Sequence, residues 1–206
     1  MMPEATTRQE YNRMASVYDW IWRSYLKQTL SFLKTWANLP PEAVVLDIAC
    51  GTGLFEQAVL EEHPTQTFVA SDVSQNMLDV AAQRLDAFPS VTLLAASASA
   101  LPFASELFDV VVCASALHYF DSPQTALFEM RRVARPGGSI IILDWCRDFP
   151  TMRVLDAILR HTEPAHQRCY TLDELQAMLA ENGLAVQMSQ RVRFGLFWGL
   201  MVVAAQ

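Results

Sequence analysis

Val44-Val45-Leu46-Asp47-Ile48-Ala49-Cys50-Gly51-Thr52-Gly53 is an apolar, β-branched run that breaks at two glycines. It reads as a buried strand, and the residues behind it, 54–62, read as a helix with Leu54, Ala58 and Val59 on its apolar side. Outward from this unit the alternation continues. Residues 67–70 form a second strand closed by Ser71 and Asp72, and Ser74 can cap a helix carrying Met77, Leu78, Ala81, Ala82 and Leu85. Strands are expected at 91–95, 108–114 and 139–143. A helix carrying Ala126, Leu127, Met130, Val133 and Ala134 is expected to stop at Pro136 and the glycines after it. Uniformly apolar strands alternating with helices predict an α/β fold with a mostly parallel sheet covered on both faces, a Rossmann-like three-layer sandwich.

Past Asp144 the pattern loosens. A helix is expected over 151–161 and a looser segment over 162–170. Thr171 and Glu174 spell a capping box for a helix running to Glu181, closed by Asn182 and Gly183. Strands at 184–189 and 196–204 follow, joined by a turn around 191–195. The seven aromatics Tyr11, Tyr18, Trp20, Trp22, Tyr25, Phe32 and Trp36 mark residues 1–40 as packing helices or as a helical lid over the carboxyl ends of the strands. One domain is expected over 1–206, with a lid at 1–40, a ligand-binding core at 41–144, and acceptor-side helices and two last strands at 145–206.

Gly51 and Gly53 let backbone approach a ligand, and helix-start N–H groups can hydrogen-bond it. Asp72, ending the second strand, is placed to accept from the two hydroxyls of a ribose. A dinucleotide fingerprint would require a third glycine where Glu56 stands, and Asp47 would repel a pyrophosphate. An acidic site suits a ligand carrying an ammonium and a sulfonium, which favours S-adenosylmethionine over a nicotinamide or flavin nucleotide. No glycine-rich run ends in Gly-Lys-Ser or Gly-Lys-Thr, so a P-loop nucleotidase is excluded.

Of the 206 residues, 52% are apolar, and the net charge is -7. A chain so charged lacks the basic surplus that nucleic acid demands. Arg131, Arg132 and Arg135 cluster at a helix end, an ordinary place for solvated cations. Cys50, Cys113, Cys146 and Cys169 form no CxxC pair and read as buried small side chains. His161, His166 and Cys169, with Cys146 nearby, are irregularly spaced across a helix end and a loop, and no charged partner is expected around them, so no metal is expected. No apolar run is long enough to span a bilayer and the amino terminus has no apolar signal core, giving a cytoplasmic expectation without stable membrane insertion.

Several ordered motifs resemble the class I S-adenosylmethionine-dependent methyltransferases, most closely the branch of ubiquinone and menaquinone biosynthesis. Residues 46–53 resemble the glycine-rich first motif, with Ala49 where the family has its first glycine. Asp72 matches the ribose-binding acid, and Val73 takes the adenine-contacting place. Residues 96–103 are similar to the adenine edge, with Ser97 where many members have an aspartate and Ala98 offering its N–H. Residues 108–120 and 129–138 resemble the fourth strand with its loop and the junction into the fifth. The resemblance implies sheet order 3-2-1-4-5-7-6 with strand 7 antiparallel. It also implies a cofactor set of Asp47, Ala49, Cys50, Gly51, Gly53, Asp72, Val73, Met77, Ser97, Ala98 and Ser115, joined by Tyr11 and Tyr18 from the amino-terminal stretch.

A methyl transferase needs its nucleophile held in line with the sulfonium methyl, and a base only where a proton must leave. His118, just past the fourth strand, is the expected base, since neutral imidazole accepts protons near pH 7. Its alternative role is packing or orienting the loop. Tyr119 is expected to position substrate, and Trp145 to wall the acceptor pocket or pack in the core. A small aromatic or lipophilic acceptor is the main expectation. A nucleic-acid or protein methyltransferase, a non-catalytic cofactor-binding partner subunit and a nicotinamide reductase stand as alternatives. The apolar closing run, residues 194–205, is read as a buried strand or a homodimer seam.

Overall fold

In the computed structural model, which describes residues 3–206, β1 (Val44–Ile48) is an interior strand of a seven-stranded sheet. The order is β3-β2-β1-β4-β5-β7-β6, as the family resemblance implied. β2 (Thr67–Asp72), β3 (Val91–Ala95), β4 (Phe108–Ala114) and β5 (Ala134–Trp145) join β1 in parallel pairing. β7 (Trp198–Ala205) runs antiparallel between β5 and β6 (Val186–Phe194).

Burial follows position in that order. β1, β4 and β7 are almost wholly buried, whereas the edge strands β3 and β6 expose alternate or consecutive residues. Continuous apolar runs belong to strands covered on both faces, and the edges carry the polar residues. On one face pack α5 (Pro123–Val133) and α7 (Leu172–Glu181), sharing a core with Leu46, Val111 and Ile142. On the other lie α2 (Tyr18–Ala37), α3 (Leu54–Leu60), α4 (Gln75–Leu85) and α6 (Pro150–Thr162), around Val45, Phe68, Val112 and Leu143. α1 (Pro3–Met14) completes the described chain.

The expected caps form. Ser74 Oγ accepts from the Met77 N–H at 3.2 Å, and Thr171 and Glu174 exchange both bonds of the capping box. Boundaries differ from expectation at two places. β5 begins at Ala134, because Pro136 and Gly137 do not end α5 but run through a register shift opposite Phe108 and Val110. A Cβ on Gly138 would meet the carbonyl oxygens of Arg135, Asp109 and Phe108 at 2.9–3.1 Å, so glycine there allows strand contact. β6 extends to Phe194 and the turn falls at 195–197, since pairing with β7 satisfies backbone groups that the polar sequence left ambiguous. Met1 and Met2, the start of the expected lid, lie outside the described residues.

β1 and β4 are neighbours whose crossovers leave in opposite directions, β1 toward β2 and β4 toward β5. Their outgoing loops part, leaving the crevice in which open α/β sheets hold ligands.

Candidate functional site

The loops after β1, β2 and β4 enclose a cavity of about 470 Å³. Ala49, Gly51, Asp72, Val73, Met77, Ser97, Ala98 and Ser115 line it, together with Tyr11, Tyr18 and Tyr119. The expected residues Asp47, Cys50, Gly53 and His118 lie behind this wall. α1 forms the outer side through Glu4, Ala5, Thr7 and Arg8, and the loop after β4 adds Phe120 and Asp121.

The chain leaves β1 by a sharp turn. Ala49 sits at φ 61° and Gly51 at φ 58°, both in the left-handed region. For alanine that conformation costs about 1 kcal/mol, which is why glycine is favoured there. A Cβ built on Gly51 would meet nothing within 4 Å, so its bare backbone faces the open cavity. Gly53 differs: a Cβ there would lie 2.8 Å from Leu85 Cδ1 and 3.1 Å from Ala81 Cβ. Its bareness lets α3 and α4 pack rather than admitting a ligand.

Asp72 is buried at the cavity wall. Its Oδ2 accepts from the Gly51 N–H at 3.0 Å and its Oδ1 from the Ser74 N–H at 2.8 Å. Burial pushes its pKa up, and these N–H groups with that of Val73 oppose the rise. Fixed in this way, the carboxylate keeps lone pairs for a diol.

Behind Gly51, Asp47 and Glu56 face each other, and neither carboxyl forms an ion pair among the described residues. Both are buried, and Asp47 Oδ1 and both Glu56 carboxyl oxygens have no hydrogen-bond partner among the described residues. Burial first, then its Glu56 neighbour, holds Asp47 well above the carboxylate range. Burial raises Glu56 to about 7 despite the Arg84 guanidinium nearby. Unpartnered buried acids are costly, and a cation on the cavity side would relieve them. The residues present can accommodate a ligand that joins an ammonium and a sulfonium to an adenosine, since Asp72 offers a carboxylate at the wall and the acid pair lies behind Gly51.

Tyr11 and Tyr18 pack at 5.9 Å between ring centroids, and Tyr11 meets Tyr119 edge-on at 5.4 Å. Burial raises the pKa of all three phenols, so they present neutral hydroxyls to the cavity. α1 is fastened by polar contacts. The Glu4 N–H donates to Asp121 Oδ2 at 2.9 Å, and Asn12 Oδ1 accepts from Ser74 Oγ at 2.7 Å. Ser97 Oγ donates to the Glu4 carboxylate, so the residue expected at the adenine edge holds the covering helix.

His118 is buried one step behind Tyr119. Its Nδ1–H donates to Asp144 Oδ1, its backbone N–H donates to Asp144 Oδ2 at 3.1 Å, and its ring stacks on Trp145 at 4.1 Å and 13°. Nε2 has no partner among the described residues. Trp145 is core rather than cavity wall. Its Nε1–H donates to Tyr25 OH at 2.9 Å, and that hydroxyl lies 2.6 Å from Ser115 Oγ at the cavity edge. Asp144 as the histidine's partner escaped sequence reasoning, since nothing in the spacing links residue 118 to a strand end 26 positions later. Glu4 and Arg8 likewise carried no signal in an otherwise unremarkable polar helix.

The absence of a charged neighbour around His166 is corrected. Asp156, Cys169 and His166 are buried with ligand-type atoms within 4.8 Å of one another. Asp156 Oδ1 accepts from the Cys169 N–H at 2.6 Å and pairs with His166 Nε2 at 2.9 Å, while Arg160 holds Oδ2 at 2.9 Å. The carboxylate is fully engaged in fastening the 163–169 segment to α6. His161 is exposed and bonds only its own helix, its Nδ1 lying 2.9 Å from the Ala157 carbonyl. Among the described residues the four cysteines are free thiols.

Residues 46–142 match the family model described as a methyltransferase domain. The chain is 31% identical over 144 residues to demethylmenaquinone methyltransferase of Bacillus licheniformis, covering 64% of this chain and 62% of that protein. It is 38% identical over 119 residues to the ubiquinone/menaquinone biosynthesis C-methyltransferase of Burkholderia mallei, covering 57% and 49%. The match thus spans about half to three-fifths of these relatives' length. A solved SAM-dependent methyltransferase from Thermotoga maritima shares the fold at TM-score 0.75 and 20% identity, with 95% of this chain and 97% of that one covered. With motif order, sheet order and cavity in agreement, residues 46–142 are similar to the class I S-adenosylmethionine-dependent methyltransferases, on the side of the ubiquinone and menaquinone enzymes, and the chain shares the fold of a solved SAM-dependent methyltransferase.

Proposed function

We propose that this protein transfers the methyl group of S-adenosylmethionine to a small aromatic or lipophilic acceptor, at a hydroxyl or a ring carbon. The observation that carries the reading is the cavity in which Gly51 backbone and Asp72 meet, with the buried acids Asp47 and Glu56 behind them. The sulfonium supplies an electrophilic methyl carbon, attacked in line by the acceptor while the carbon–sulfur bond breaks toward sulfur. The chain's own part is to hold the two in line and keep water out. α1 and the three tyrosines supply the enclosure, and their aromatic faces suit a flat or apolar acceptor. Glu4, Asp72 and Asp121 outnumber Arg8 among the charged lining residues, a balance that disfavours nucleic acid.

Tyr119 is the residue we assign to contact the acceptor. His118, with Nδ1–H committed to Asp144, keeps the Nε2 lone pair free to take a proton once Tyr119 moves aside. Calorimetry with S-adenosylmethionine and with dinucleotides tests the cofactor. A panel of phenolic and quinol acceptors, run with wild type and His118→Ala across pH, tests the base. Tight dinucleotide binding with no heat from S-adenosylmethionine overturns the reading. Wild-type rates for His118→Ala at every pH remove the histidine alone, and cofactor binding without turnover on any acceptor favours a partner subunit instead.

A further inference from the structure

We propose that the outer face formed by α2, α6 and the β6–β7 turn docks on the surface of an anionic lipid bilayer. α6 packs Met152, Leu155 and Leu159 on the core and carries a second apolar edge that the core does not use. It turns Asp156 inward, where the carboxylate is tied to His166 and the Cys169 N–H, and it turns Val154 and Ile158 outward at 62% and 52% exposure. The turn between the last two strands lifts Leu196 to 91% exposure and Phe197 to 44%. α2 adds Trp20 at 81% and Ile21 at 50%.

These side chains belong to one surface. Phe197 packs on Trp198 at 5.0 Å, and Trp198 packs on Trp22 of α2 at 5.8 Å. Thr151, in the first turn of α6, donates its hydroxyl to the Phe197 carbonyl at 2.7 Å. α2 and α6 lie in the same helical layer, on the same core. The tips of α6 and the β6–β7 turn adjoin, and Trp20 stands further along α2 over the groove it shares with α3; exposed apolar side chains grouped in this way mark a contact site.

The charges around it choose the occupant. In residues 18–28, 150–162 and 191–199 every exposed permanently charged side chain is a cation, and of these Arg23, Lys27, Arg153 and Arg193 form no ion pair among the described residues, whereas Arg160 is paired with Asp156. The two acids of those segments are engaged internally, Asp19 with Arg84 and Asp156 as described. This occurs on a chain of net charge -7. Apolar tips ringed by arginine and lysine suit the headgroup boundary of a bilayer bearing negative lipids. A second copy is disfavoured, because a two-fold contact would set these cations against their own images. The chain would rest on the surface without crossing it, since no described helix is long and apolar enough to span a membrane.

The docking does not depend on methyl transfer and is read without turnover. Vesicle flotation compares phosphatidylcholine alone with phosphatidylcholine carrying about 30 mol % phosphatidylglycerol. Wild type floats with the anionic vesicles only and is released by added salt. The double variant Ile158→Glu, Leu196→Glu loses at least about tenfold in vesicle partitioning while keeping its calorimetric affinity for S-adenosylmethionine, which shows that it is folded. Arg23→Glu with Lys27→Glu, which leaves the apolar tips in place, lowers binding to anionic vesicles. Failure to float, or equal flotation with neutral vesicles, overturns the proposal. So does a wild-type dimer in analytical ultracentrifugation that the Ile158→Glu, Leu196→Glu variant dissociates, for then a second copy covers the face.

Discussion

Asp72 concentrates the binding argument in one side chain. Two backbone N–H groups fix its oxygens at 3.0 and 2.8 Å before any ligand arrives, so a diol meets an acceptor already oriented. Asp72→Ala should weaken S-adenosylmethionine binding about tenfold or more in calorimetry. Unchanged affinity in a folded variant would remove the ribose role. Glu56 offers a pH-dependent counterpart. Its folded value of about 7 exceeds the ordinary 4.5, so its contribution to stability is complete below 4.5 and is lost as pH rises through about 7. Glu56→Gln should therefore stabilise the unliganded protein by up to about 3 kcal/mol at about pH 8, and little at about pH 4, in thermal melts. A cationic ligand favours the ionised carboxyl, so wild-type affinity should climb between about pH 6 and 8 while the glutamine variant stays flat. A melting difference independent of pH would show that the carboxyl does not titrate in this range. Sequence spacing pointed to Asp72 because a strand end fixes a side chain's direction. It did not show that Glu56 turns inward, since one acid on a short helix gives no periodic signal.

Among the elements, α3 and α4 depend on a missing side chain. The approach of Leu85 to within 2.8 Å of a Gly53 Cβ, with φ at 77°, leaves no room for alanine. Gly53→Ala should cost about 2 kcal/mol or more in denaturant unfolding, without first altering which nucleotide the protein prefers. A neutral substitution would mean that α4 shifts freely. The central elements were legible because β1, β3 and β4 are mostly apolar, β-branched runs, each broken by a single polar residue, and their ends match the expected residues. The later ones were harder. Pro136 and Gly137 look like helix stops in sequence yet stand in a strand, and the polar run of β6 becomes a strand only through its pairing with β7.

At the scale of the whole molecule, the crevice follows from sheet order alone, and sheet order followed from the family resemblance rather than from periodicity. The pairing of distant residues was beyond the sequence. Asp144 reaches His118, and Glu4 reaches Ser97 and Asp121, across distances set only by the finished fold. The fastening of α1 has a kinetic consequence. Strand ends and loops line the inner side of the cavity, and a helix held by a few polar contacts covers its outer side. A spent cofactor leaving past α1 has to break those contacts, so the expected outcome is that escape rather than bond-making sets the pace. Turnover should then slow in proportion to added sucrose or glycerol viscosity, while a rate insensitive to solvent friction would mean that α1 never shuts.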